Sequence, residues 1–161
     1  MHRPRFNVYL SGEVHSDWRD RIERLAADRG LPVEFSAPVT DHAASDDCGA
    51  RILGAENDSF WHDHKGASVN AIRTRTLIGR ADLVVVRFGE RYRQWNAAFD
   101  AGIAAALGKP YLTLHPVELD HALKEVDAGA TAVARTAEQV VEVLTYVIRG
   151  ELAPPPSGDD S

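Results

Sequence analysis

The sequence predicts an α/β fold built on a parallel sheet with helices on both faces. Short apolar, β-branched runs recur along the chain, the densest being Leu83, Val84, Val85 and Val86. Segments of helical period separate these runs. Runs and helices alternate from one end to the other, the pattern of βαβ units with right-handed crossovers. At 161 residues, 44% hydrophobic and 26% charged, the chain is long enough to bury a core without cross-links. One domain over 1–150 is expected, with a Pro- and Ser-rich tail over 151–161 that should be disordered.

Residues 6–10 read as a buried strand ending at Ser11-Gly12. Ser16-Asp17 then offers N-cap chemistry for a helix to about Asp28, with Trp18, Ile22, Leu25 and Ala26 at core spacing. Residues 33–35 form a second strand. The stretch 38–64 is polar and rich in His and Asp, and reads as an irregular loop with at most a short helix near 49–53. Residues 68–79 fit an amphipathic helix with Val69, Ile72, Leu77 and Ile78 inward. Residues 82–87 are the third strand, 96–107 a helix closed by Gly108, and 110–114 the fourth strand. A short helix at 118–126, an edge strand at 130–134 and a helix capped by Thr136 and running to Ile148 complete the pattern. Five such strands suggest the flavodoxin-like order 2-1-3-4-5, a Rossmann-like three-layer sandwich whose reversal lies between strands 1 and 3.

A net charge of −6 argues against nonspecific nucleic-acid binding, which needs clustered cationic residues. Arg19, Arg21, Arg24 and Arg29 fall on a helical face and read as solvated surface. A single cysteine, Cys48, excludes an intramolecular disulfide and favours a reducing, cytoplasmic setting. No apolar run has the length of a membrane span. No P-loop, GxGxxG fingerprint or GxSxG elbow is present.

Loops after the switch-point strands build ligand sites in such folds. Asp100 stands out there. With Asn96 as N-cap it lies one turn into a helix, where the dipole keeps a carboxylate ionised for nucleophilic or orienting work; the plain alternative is a dipole-complementing acid. Glu13 and His15 follow strand 1 and can present an acid and a titratable base, or simply cap the next helix. Trp95 and Tyr92 are candidates to stack a flat ring, a contact worth about 1–3 kcal/mol for a base. Phe88, Gly89, Gln94 and Asn96 share that loop. His42, Asp46, Asp47, His62, Asp63 and His64 invite a metal reading, with His62-x-His64 a ligand pair if extended, but no third ligand stands at a recognised spacing. No metal and no cofactor is implied.

The segments VYLSGEVHSDWR, FSAPVTDHAASDDCGARILG, NAIRTRTLIGRADLVVVRFGERYRQWNAAFDAG and ALGKP together resemble the YtoQ family of small bacterial proteins. The resemblance covers about residues 6–148. That family is related to the nucleoside 2-deoxyribosyltransferases, whose strand-end, "aD" and "GKP" elements match Tyr9-Leu10-Ser11-Gly12, Ala81-Asp82 and Gly108-Lys109-Pro110. The resemblance implies a nucleoside or nucleotide substrate and a homo-oligomer. It places Asp100 where the transferases carry a nucleophilic glutamate, and Asn70 near a helix aspartate of theirs. Tyr9 and Gly12 fall on the strand-end motif and join the binding residues. Gln94-Trp95-Asn96 stands where the transferases carry acids.

Three functions are compatible with these residues: an N-glycosidic-bond transferase or hydrolase using Asp100, a nucleotide-binding module without chemistry, and a metal-dependent hydrolase using the 42–64 loop. The partner in the first two is a small nucleoside or nucleotide, with neither nucleic acid nor membrane involved.

Overall fold

The computed structural model describes residues 5–91 and 93–152; Tyr92 and the tail from 153 lie outside them. In chain order the elements are β1 (Phe6–Gly12), α1 (Trp18–Asp28), β2 (Val33–Ser36), α2 (His42–Leu53), α3 (Ser59–Arg80), β3 (Leu83–Arg87), α4 (Trp95–Ala106) and β4 (Tyr111–Leu114). A 3-10 turn (Val117–Leu119), α5 (Lys124–Gly129), β5 (Ala132–Ala134) and α6 (Ala137–Arg149) follow. All strands pair in parallel in the order β2-β1-β3-β4-β5. The expected topology is therefore the observed one.

Strand alternation divides the core into two layers. Val8 and Leu10 of β1, Leu83 and Val85 of β3, and Leu112 and Leu114 of β4 face one side. There they meet Trp18, Ile22 and Ala26 of α1 and Val140, Val141 and Leu144 of α6. Tyr9, Val84, Val86 and Tyr111 face the other side, against Ile78 of α3 and Ala97, Ala101 and Ala104 of α4. The alanines let α4 lie close on the sheet, which brings its polar neighbour Asp100 down to strand level. The register Leu10↔Val85 and Ser11↔Val86 aligns the carboxyl ends of β1 and β3 at the switch point. Gly12 ends β1 with φ +112°, and a Cβ there would sit 2.1 Å from the Arg87 carbonyl oxygen.

Stretch 38–64 is not an irregular loop. It holds the whole of α2 and the start of α3, a helix of 22 residues and so about 33 Å long. Asp41 caps α2, accepting from the Ala44 amide at 2.8 Å. Asp58 caps α3, accepting from Phe60 and Trp61. The two helices run antiparallel and touch through Gly49 and Gly66: a Cβ on Gly49 would lie 2.2 Å from the Lys65 carbonyl carbon. Backbone contact replaces an apolar stripe here, so hydrophobic period could not reveal these helices. For the same reason Ile72, expected inward, is 70% exposed.

Arg19 also departs from expectation. It is buried, and its guanidinium donates to the carbonyls of Leu10, Glu13 and Gly12 at 3.1, 2.7 and 3.0 Å. Strand-end carbonyls need donors once water is excluded, and Arg19 supplies them. Among the described residues no helix is long and apolar enough to cross a membrane.

The glycine crossing is testable by unfolding in urea. Gly49→Ala should cost about 1–3 kcal/mol, the usual penalty for overpacking. Gly79→Ala, on the same helix pair but with nothing within 4 Å of its Cβ, should gain up to about 1 kcal/mol from helix propensity.

Candidate functional site

A cleft of about 960 Å³ opens over the carboxyl ends of β1 and β3, near the upper end of the range usual for small-molecule sites, about 300–1,000 Å³. The β1–α1 turn, residues 38–40, the α2–α3 pair and the start of α4 wall it. Asp100 lies in that wall, at the level of the strand ends. Its Oδ2 accepts a 2.5 Å hydrogen bond from Ser11 Oγ, and Ser11 is fully buried. Period-two alternation puts Ser11 on the same side of β1 as Tyr9. The buried Tyr9 hydroxyl comes near Asp100 and Thr74 without closing a hydrogen bond of ordinary length to either. Burial and the Asp100 charge push the Tyr9 phenol up to about 12, so it stays protonated with a hydroxyl donor to spare.

The cap of α4 is not Asn96. Gln94 holds the N-cap position without a side-chain cap bond, its Oε1 accepting instead from the Gly89 amide at 3.0 Å. Asp100 is thus the sixth residue of α4, beyond the first turn where the dipole acts. Burial therefore dominates: it raises the Asp100 carboxyl above its ordinary value, and the Ser11 bond only partly opposes this. A carboxylate so placed is more basic, hence a stronger nucleophile when ionised, than a solvated one.

The other expected residues divide. Gly12, Glu13, His15, Asn70, Gln94, Trp95 and Asn96 all line the cleft with Asp100. Burial pushes the Glu13 carboxyl up, but hydrogen bonds from Ser16 Oγ (2.5 Å) and the His15 amide outweigh it, and the net shift is down. Glu13 is thus an ionised anchor of its turn, unsuited to donating a proton. Gly89 stands behind it, since a Cβ there would lie 2.8 Å from Glu13 Cγ. The His15 ring stacks on His42, centroids 5.6 Å apart. Asn70 Nδ2 donates to the carbonyl and hydroxyl oxygens of Ser45, tying α3 to α2. Trp95 is 70% exposed on the cleft, with the Arg93 guanidinium 5.7 Å from its ring centroid. Phe88 is not a cleft residue; it is buried, its ring edge-on to His115. Tyr92 lies outside the described residues. Ser11, Thr74, Arg73 and Phe99 were not anticipated. Strand alternation from Tyr9 flags Ser11, and helical spacing from Asn70 flags Thr74.

The metal reading of 42–64 loses its geometry. On a helix His62 and His64 diverge by roughly 200°, and His62 instead meets Asp47 and Asp63. Among the described residues His115, Asp120 and Asp127 do converge. Arg135 already supplies the cation there, with Nη1 2.5 Å from Asp120 Oδ1, and His115 Nε2 lies 3.0 Å from Asp127.

A 2-1-3-4-5 sheet with a half-buried carboxylate in its switch-point cleft defines a flavodoxin-like α/β protein. The chain belongs to the family described as Nucleoside 2-deoxyribosyltransferase YtoQ, whose model matches residues 9–148. It is 39% identical over 146 residues to the uncharacterized protein YtoQ of Bacillus subtilis (strain 168), covering 91% of this chain and 99% of that one. The fold is shared with a 2-deoxyribosyltransferase of Bacillus psychrosaccharolyticus (TM-score 0.51, 16% identity, 84% and 90% of the two chains covered). It is shared also with a conserved protein of Enterococcus faecalis V583 (TM-score 0.61, 13% identity, 89% and 99% covered).

The raised Asp100 carboxyl has a measurable sign. Above the unfolded aspartate pKa, the folded state holds this proton more tightly than the unfolded one, so ionising Asp100 costs stability as pH rises. Asp100→Asn keeps the shape and removes the charge. Its melting temperature should exceed that of the parent at pH 7, and the gain should vanish below about pH 4.

Proposed function

We propose that this protein cleaves or transfers the N-glycosidic bond of a nucleoside or nucleotide, with Asp100 as nucleophile. The observation that carries the reading is the half-buried Asp100 carboxylate, held by Ser11 in the switch-point cleft, in a chain of a nucleoside deoxyribosyltransferase family. An Asp100 oxygen attacks the anomeric carbon as the bond to the base breaks, and the base leaves with the bonding electron pair and takes up a proton. The resulting glycosyl ester is released when water, or a ring nitrogen of a second base, attacks the same carbon and returns the carboxylate. The Ser11 hydroxyl orients the Asp100 carboxylate, and the buried Tyr9 hydroxyl lies behind it. Trp95 supplies an exposed ring for base stacking, and Gln94 and Asn96 supply amides for polar edges of base or sugar.

Base release from a panel of nucleosides and nucleotides, followed by chromatography, tests this. The wild-type protein should release base, and Asp100→Ala should lose about a thousandfold or more, as loss of a covalent nucleophile does. Full activity in Asp100→Ala would sink the role. Ligand-dependent thermal shifts without any release would instead establish the binding module.

The homo-oligomer has its own support. Ile52 and Leu53 end α2, Phe60 and Trp61 begin α3, and all four are more than half exposed at one tip of the helix pair. An apolar cluster of this kind marks an association surface. Light scattering should find a defined oligomer, and Phe60→Glu combined with Trp61→Glu should shift it to smaller species; a wild-type monomer would rule the reading out.

A further inference from the structure

We propose that the cleft is built for a nucleoside 5′-monophosphate, its phosphate seated against Arg73, His42 and His15. This rests on the glycosidic reading of Asp100. The sheet order gives the cleft two arms. β2 lies on one side of β1, and the chain leaving it delivers residues 38–40 and the start of α2. β3 lies on the other side and leads to α4. Asp100, bonded to Ser11 of β1, stands between them.

The two arms differ in chemistry. The α4 arm carries Trp95 and Phe99, 70% and 61% exposed, the flat apolar surface that a base requires. The opposite arm carries Thr40, His42, His15 and Arg73. Arg73 reaches it from α3, where one Nη donates to the Ala37 carbonyl at 3.2 Å. That bond fixes the guanidinium beside residues 38–40 and leaves further donors directed elsewhere. The imidazoles of His15 and His42 stack at the same end.

Charge accounting points the same way. The chain as a whole is acidic, at −6. Some of its arginines are matched, Arg21 with Glu138, Arg135 with Asp120 and Arg19 with three carbonyls, whereas Arg73, Arg75 and Arg93 all line the cleft. Among the described residues no carboxylate lies within ion-pair distance of Arg73. Of the cleft acids, Glu13 is engaged by Ser16 and His15 and Asp100 by Ser11. Asp46 and Asp63 lie farther along the helix pair, beyond His42 toward its tip. An arginine fork at a cleft wall, with no carboxylate paired to it among the described residues, suits an incoming phosphate, which it binds through two parallel hydrogen bonds. The exocyclic C5′ arm lets a phosphate swing to that wall while the anomeric carbon stays at Asp100 and the base lies along Trp95. A free 5′-hydroxyl would leave the guanidinium without an anion.

The test is equilibrium binding by calorimetry to Asp100→Asn, in which ligand is not consumed. The ligands are adenine, guanine, cytosine and thymine deoxynucleosides, each with and without a 5′-phosphate. For at least one base the monophosphate should bind about tenfold tighter or more, the value of a hydrogen bond to a charged group. Arg73→Gln should erase most of that ratio, His42→Ala should reduce it, and Arg24→Gln, on α1 away from the cleft, should leave it intact. Equal affinity within every pair, or a preference that survives Arg73→Gln, overturns the proposal. Failure of the catalytic reading is separable: it appears as no base release by the wild type, whatever the binding ratio.

Discussion

The guanidinium of Arg19 is the contact on which the rest of the site depends. The carboxyl ends of parallel strands leave carbonyls with no strand partner, and at the switch point they crowd together. Arg19 gathers those of Leu10, Gly12 and Glu13 in one fork, and the Trp18 indole adds a second donor to Glu13. Burial lowers the Arg19 pKa, yet a guanidinium remains charged under all ordinary conditions. Carbonyl dipoles meet its charge directly, and the carboxylates of Glu13, Glu23 and Asp20 favour it without forming an ion pair. The turn can then stay tight, with the Glu13 amide bonded back to the Arg87 carbonyl across the switch point.

From that fixed turn the chemistry of the site follows. Ser11 is the last side chain of β1 before the turn on its side of the sheet, so locking the turn locks the Ser11 hydroxyl. Ser11 in turn holds Asp100 from a helix 89 residues away in sequence. Asp100 can approach because α4 meets the sheet through alanines. Close packing and the raised carboxyl thus share one origin: small residues bring the acid down to where water is scarce. The Tyr9 hydroxyl, buried beside it without a partner, is the kind of unsatisfied donor that folded proteins retain for a ligand or reaction.

Much of this was legible in the sequence, and the limits have physical reasons. Short apolar runs marked all five strands, and their alternation with helices suggested the order. Asp100, His15, Trp95 and Asn96 could be placed at one cleft because strand ends converge at the switch point. Most of α2 and the first part of α3 escaped notice because Gly49 and Gly66 join them by backbone contact, which leaves no stripe to read. Arg19 was misread because one buried cation on a helix looks like its solvated neighbours Arg21 and Arg24 until the carbonyls it serves are in place. Phe88 shares the loop sequence of cleft residues yet turns into the core, a choice made by packing against His115 that no local pattern encodes.

The two halves of the cleft are held by different kinds of contact. Asp100, Ser11 and Tyr9 rest on the sheet, tied to buried strands and to the Arg19 turn. The opposing wall of His42, Asn70 and Arg73 belongs to the helix pair, joined by the glycine crossing, the Asn70–Ser45 bonds, the His62–Asp47 pair and the Cys48 thiol at the Gly66 carbonyl. Few apolar side chains bury there, so local opening costs less than in the sheet. Reaction chemistry needs placement to within a fraction of an ångström, whereas recognition tolerates adjustment. With the acid tied to the sheet and Arg73 on the helix pair, a shift of the helix pair would leave Asp100 in place. Any contact that covered Phe60 and Trp61 would restrain the same helices that carry His42 and Arg73.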